Sequence, residues 1–138
     1  MIAALGLIAT QQASPAANTM RKINQLLDYS ATHMDAAVTY WVSNMVLAAH
    51  RDASYLSDTK ARSHAGVHFF VASDIVVPEN NGAVHAFAQI IKTVMSSVAE
   101  AELGALYINC RKAIPARHLL KAMRQHQPPT TMQYVRAV

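Results

Sequence analysis

The sequence predicts a mixed α/β domain, a sheet of short strands with helices packed against it. Three observations lead there. Apolar residues recur at three- and four-residue spacing near the start and again after residue 96, as amphipathic helices require. Between those helices the chain breaks into β-rich runs separated by turn-forming residues. The composition, 52% hydrophobic and 14% charged over 138 residues, belongs to a chain able to build a core and excludes a disordered tail.

The elements follow in order. Ser14 offers a helix cap and Pro15 suits a first helical position. A helix then runs to about Tyr29, with Met20, Ile23, Leu26 and Leu27 as its apolar stripe. The polar "SATHMD" breaks that pattern. "AVTYWV", residues 37–42, reads as β-rich, and "SN" as a turn into the apolar "MVLAAHRDASYL", an interior strand. "DTKARSHAG" reads as a polar loop and "VHFFVAS" as another strand. "PENNG", residues 78–82, is a strong turn signal, and "AVHAFAQII" is a fourth strand candidate. Connections this short suit an antiparallel meander. Ser96 and Ser97 can cap the next helix, Pro115 ends or kinks it, and "ARHLLKAM" continues beyond. "QPP" stops the helix and "TTMQYVRAV" reads as a last strand.

Charge is unevenly placed. The net charge is +4, and after Glu102 every charged residue is basic: Arg111, Lys112, Arg117, Lys121, Arg124 and Arg136. Such an end suits a polyanion, and equally a solvated helix face. The single cysteine, Cys110, cannot form an internal disulfide and falls among apolar residues, so a buried thiol is expected. "MIAALGLIA" is far shorter than a bilayer span and has neither a preceding base nor a clear cleavage site. A soluble intracellular protein, cytoplasmic or nuclear, with no membrane association, is the expectation. Seven histidines include His64-x-x-x-His68, without the companion ligands of a zinc site. Tyr40 and Trp41 either stack on bases or divide between core and surface.

The scarce residues are the acids, eight in all. Two of them, Glu100 and Glu102, stand in "MSSVAEAELGALYIN", residues 95–109. At about 100° per residue, Ala99, Leu103, Leu106, Cys110 and Ala113 share one predicted apolar face. Glu102 then lies about 60° from its centre and Glu100 about 100° away on the opposite flank. Glu100 reads as a first-turn stabiliser favoured by the helix dipole. Glu102 reads as a carboxylate at the rim of a core, which needs a base or a cation as partner. Asp52 closes the apolar run "MVLAAHRD". An acid from a strand beside one from a packed helix is how Mg²⁺ sites for phosphate chemistry are assembled. A capped turn for Asp52 and an ion pair for Glu102 are the plainer alternatives.

At these residues the chain resembles a family. "DASYLSDTKARSHAGVHFF", "NNGAV", "MSSVAEAELGALYIN" and "QPPTTMQ" look like the ribonuclease H region of copia-type retrotransposon polyproteins. "QQASPAANTMRKINQLLDYSATH" resembles the segment joining the reverse transcriptase to it. The resemblance implies a helical connection over residues 1–35 and, over residues 36–138, a C-terminally truncated ribonuclease H-like domain, a mixed sheet with a long packed helix. It implies an endonuclease that cuts RNA in RNA–DNA hybrids with Mg²⁺, or Mn²⁺. Asp52 and Glu102 map to catalytic metal ligands, the glutamate because it heads "ELGA". Ser54 maps beside the hybrid backbone, and Arg111, Lys112, Arg117 and Lys121 are candidate phosphate contacts. The chain departs from the family where an Asp belongs after the proline pair: Val135 stands there, followed by Arg136. Asp58 and Asp74 are the nearest substitutes. The expectation is therefore weak or lost catalysis, or a non-catalytic nucleic-acid-binding or structural remnant. An exposed sheet edge at the last strand would favour self-association.

Overall fold

The computed structural model describes residues 1–58, 61–127 and 135–136. It divides into two units, Met1–Val38 and Thr39–Val138.

The first unit holds α1 (Ile2–Ala9) and α2 (Ala17–Thr32). The wholly apolar opening run was expected only as a non-spanning segment, and it folds as a helix. Neither Ser14 nor Pro15 starts α2. The cap position is Ala16, whose N–H donates to Thr19 Oγ1 at 3.1 Å, while the buried Thr19 hydroxyl donates to Gln11 Oε1 at 2.8 Å. Thr19 thus ties the cap residue and Gln11 to the first turn, while no side chain caps the first-turn N–H groups as a serine would. Met20 and Leu27, expected on the apolar stripe, are exposed.

The second unit is a mixed α/β layer pair. It contains β1 (Val46–Asp58), β2 (Arg62–Ala72), β3 (Ala83–Ile90), α3 (Val98–Ala122) and β4 (Val135–Arg136). The sheet order is β3-β2-β1-β4. β1–β2 and β2–β3 are antiparallel, and β4 runs parallel to β1 with Val135 opposite Ala49. The meander is present, but the loop expected over "DTKARSHAG" is mostly strand. β2 begins at Arg62, and Asp58 pairs with it. Of the last expected strand, Val135 and Arg136 lie in β4, and residues 130–134 and 137–138, like the proline pair before them, fall outside the described residues.

The "AVTYWV" run is not a strand, and both Tyr40 and Trp41 are exposed rather than divided between core and surface. Asn81 explains what holds this run. Its buried side chain accepts from the N–H of Trp41 and Gly82 at 2.8 Å each, and donates to the carbonyls of Trp41 at 3.0 Å and Val71 at 2.8 Å. One amide thereby meets the backbone groups that a neighbouring strand would otherwise meet. Gly82 is required by the same approach. A Cβ there would stand 2.7 Å from Thr39 O and 2.8 Å from the Tyr40 ring.

α3 is a single 25-residue helix that runs through Pro115. Ser97 caps it, its hydroxyl accepting from the Glu100 N–H at 3.1 Å. The face it buries is not the expected one. Ala101, Ala105, Asn109 and Leu120 are buried, with Ala113 and Ala116 packed beside them, whereas Leu103 is 65% exposed. The helix is turned by about 100° from the expected setting, toward its alanines. Small side chains let it lie close on the sheet, against Ala65, Ala53 and Tyr55 at one end and Leu47, Val67 and Phe69 at the other. Among the described residues no helix is long and apolar enough to cross a membrane.

Candidate functional site

Alternation along β1 decides where the candidate acids point. Leu47, Ala49, Ala53 and Tyr55 all pack into the clusters beneath α3. With a period of two, Arg51 joins that face and Asp52 must take the other. The pairing with β2 is regular from Val46 to Ser54, so no bulge intervenes to reverse the order before Asp52.

Arg51 reaches up from the sheet to α3. Its guanidinium forms an ion pair with the Glu102 carboxylate and donates a second, longer bond to the Glu102 carbonyl at 3.4 Å. The two side chains are 13% and 30% exposed, so the pair is half shielded from water. The rim carboxylate therefore has its cation, and that cation is a side chain of the next strand. Among the described residues the buried Arg51 Nε has no hydrogen-bond partner, and neither has the buried Asn109 Oδ1 further along α3.

Asp52 is exposed on the opposite face. It lies mid-strand, opposite Gly66, rather than at a strand's end or in a capped turn. Its even-numbered neighbour His50 stacks on Phe70 at 5.0 Å between ring centres and stands 6.4 Å from His68. The His68 Nε2 in turn meets the Asn81 carbonyl at 3.0 Å, so this histidine belongs to the clasp over the loop. The His64 and His68 pair lies along β2 rather than across a zinc-binding loop.

The sheet thus separates Asp52 from Glu102. Among the described residues no three acids, histidines or cysteines gather as a metal site. Asp74 is exposed in the loop after β2, and the side chain of Asp58 lies outside the described residues. The donor set does not fit Mg²⁺ or Mn²⁺. One carboxylate is already neutralised by a guanidinium, and the other is turned away from it by the strand's own pleat.

None of the remaining candidates gathers at the two acids. Ser54 is half-buried and its hydroxyl pairs with that of Ser57 at 2.6 Å, the turn-type bond that competes with a ligand contact. The Arg111 guanidinium lies over the Tyr107 ring at 5.9 Å. Lys112 points to a different flank, its ammonium 5.9 Å from the Phe87 ring of β3. Arg117 is half-buried beside Ile114 and Cys110, and Lys121 is exposed in the last turn, where the helix dipole favours a cation. Cys110 is half-buried rather than enclosed.

Glu100 fills the role read from its position. It is exposed and accepts a hydrogen bond from the Ser96 hydroxyl at 2.7 Å as well as from the Ser96 backbone N–H. Those bonds, the backbone one foremost, hold its carboxyl below the usual glutamate value. Arg51 and Asn81 are the consequential residues that motif reading missed. Arg51 could have been found by carrying the alternation of Leu47 and Ala49 two residues further. Asn81 had no comparable signal, because its partners are some 10 and 40 positions away in the chain.

The chain matches no family model, no curated protein and no solved structure.

Proposed function

We propose that this protein is a remnant of the ribonuclease H-like region of a copia-type polyprotein that has lost hybrid cleavage and retains affinity for nucleic acid. The observation that carries the loss of cleavage is the Arg51–Glu102 ion pair, with Asp52 on the far side of the sheet; that separation removes the chemical footing of the descent, which rests on the likeness of the sequence alone. A nuclease of this class needs its carboxylates converging on shared cations. Here a guanidinium satisfies the helix carboxylate, and Val135 stands where the resemblance calls for a further acid. The mixed sheet and long packed helix agree with the fold that the resemblance implies. For nucleic acid, the support is the run from Leu103 to Gln127, which carries bases and no acid. Phosphate contacts from such a run release counterions and make binding depend on salt.

The test is incubation of the purified chain, beside Asp52→Asn, with a labelled RNA–DNA hybrid and Mg²⁺ or Mn²⁺. The expected result is no metal-dependent cleavage by either, and hybrid binding that weakens as salt rises. Cleavage by the unsubstituted chain that Asp52→Asn abolishes would overturn the loss of catalysis. Absence of binding at low salt would overturn the retained affinity.

A further inference from the structure

The outward face of α3 combines two features that the loss of catalysis does not account for. The first is apolar exposure. Leu103, Tyr107 and Ile114 are 65%, 63% and 52% exposed and lie on one side of the helix, at spacings of four and seven residues. The second is charge of one sign. Arg111, His118 and Lys121 are exposed on that same side, with the half-buried Arg117 at its margin. No acid lies between Leu103 and Gln127, and Glu100, at the far end, is bound to Ser96.

Aliphatic, aromatic and cationic groups alternate along this stripe. Three large apolar side chains in register give the face a continuous apolar strip beside its charge, whereas a face meant for duplex phosphates would need only the cations. A single strand offers what both sets require, namely unpaired base faces and a phosphate at every step. The Tyr107 ring with the Arg111 guanidinium above it is a flat, positively charged platform of the kind on which bases stack. From Arg111 to Lys121 the helix rises about 15 Å, room for a few nucleotides. Glu100 in the first turn repels phosphate, which places the strand's phosphates from Arg111 onward.

We infer that the outward face of α3 is a binding surface for single-stranded nucleic acid, with Tyr107 and Arg111 as the stacking platform and Lys121 as a phosphate contact. This rests on the nucleic-acid affinity proposed above and specifies its form. It needs no metal and no carboxylate.

Fluorescence anisotropy on the full chain tests it, with a short labelled RNA and the same RNA annealed to complementary DNA, over a range of salt. The expected result is tighter binding of the single strand than of the hybrid. Tyr107→Ala should weaken single-strand binding about fivefold or more, with Tyr107→Phe close to the unsubstituted chain. Lys121→Ala should reduce the slope of log affinity against log salt by about 0.7. Circular dichroism of each variant checks that the helix is intact, as expected for exposed positions. Equal affinity for strand and hybrid, unaffected by Tyr107→Ala, would overturn the platform while leaving a phosphate-binding remnant. Failure of both probes to bind would overturn the surface and the retained affinity together.

Discussion

The two faces of the sheet hold different kinds of residue. Beneath α3, β1 and β2 present Leu47, Ala49, Ala65, Val67 and Phe69, packed against a row of helix alanines. On the other face the same strands present His50, Asp52, Ser54 and His68, with a smaller buried group of Ala48, Phe70 and Ala72 at one end. Arg51 and Asp52 are adjacent in the chain, yet one is committed to the helix and the other to the far side. What separates them is the pleat, and it acts without regard to the chemistry the residues could perform together.

The largest expected effect lies on the helix-covered face. Phe69 is 2% exposed against Leu47 and Leu120, so Phe69→Ala should cost about 3–5 kcal/mol of stability by urea denaturation. Asp52→Asn on the open face should stay within about 0.5 kcal/mol. Comparable losses at both positions would mean that the open face is as tightly covered as the other.

A smaller effect is expected at the ion pair that joins α3 to β1. Arg51→Met leaves Glu102 half shielded and without its cation, at a cost of about 1–2 kcal/mol once partial exposure is allowed for. Replacing both, as Arg51→Met with Glu102→Leu, should recover part of that loss, and a double-mutant cycle measures the coupling. Zero coupling would reduce the pair to an incidental surface contact.

The smallest effect belongs to Glu100, and its sign is set by pH. Because the Ser96 bonds lower its pKa in the folded state, its contribution is present above the ordinary glutamate value and fades as pH falls through the lowered one. Melting temperatures of Glu100→Gln and the unsubstituted chain should therefore differ at neutral pH and converge in acid. A gap that widens in acid would reverse the assignment.

Much of this was legible in advance, for local reasons. The Ser97 cap, the place of Glu100 in the first turn and the strands at β1 and β3 each depend on neighbours within a few residues. The need of Glu102 for a cation was legible too, since a carboxylate at a core margin cannot stand alone. The choice of helix face was not. Leucines outweigh alanines in any count of hydrophobicity, yet the sheet took the alanines and left Leu103 and Tyr107 outside. Close approach of helix to sheet favours small side chains, a preference that appears only when both surfaces exist.

By itself the sequence determined the mixed α/β class, the run of antiparallel strands followed by a long helix, the helix cap and the one-sided charge of the last third. These depend on backbone preference, local hydrogen bonds and composition, all of which act over short stretches of chain. Only the tertiary structure decided that Arg51 rather than Asp52 meets Glu102, that Asn81 holds the run at Trp41, and which side of α3 remains open. Each of those outcomes joins groups far apart in the chain, and the packing of whole surfaces selects among alternatives that local preference leaves equal.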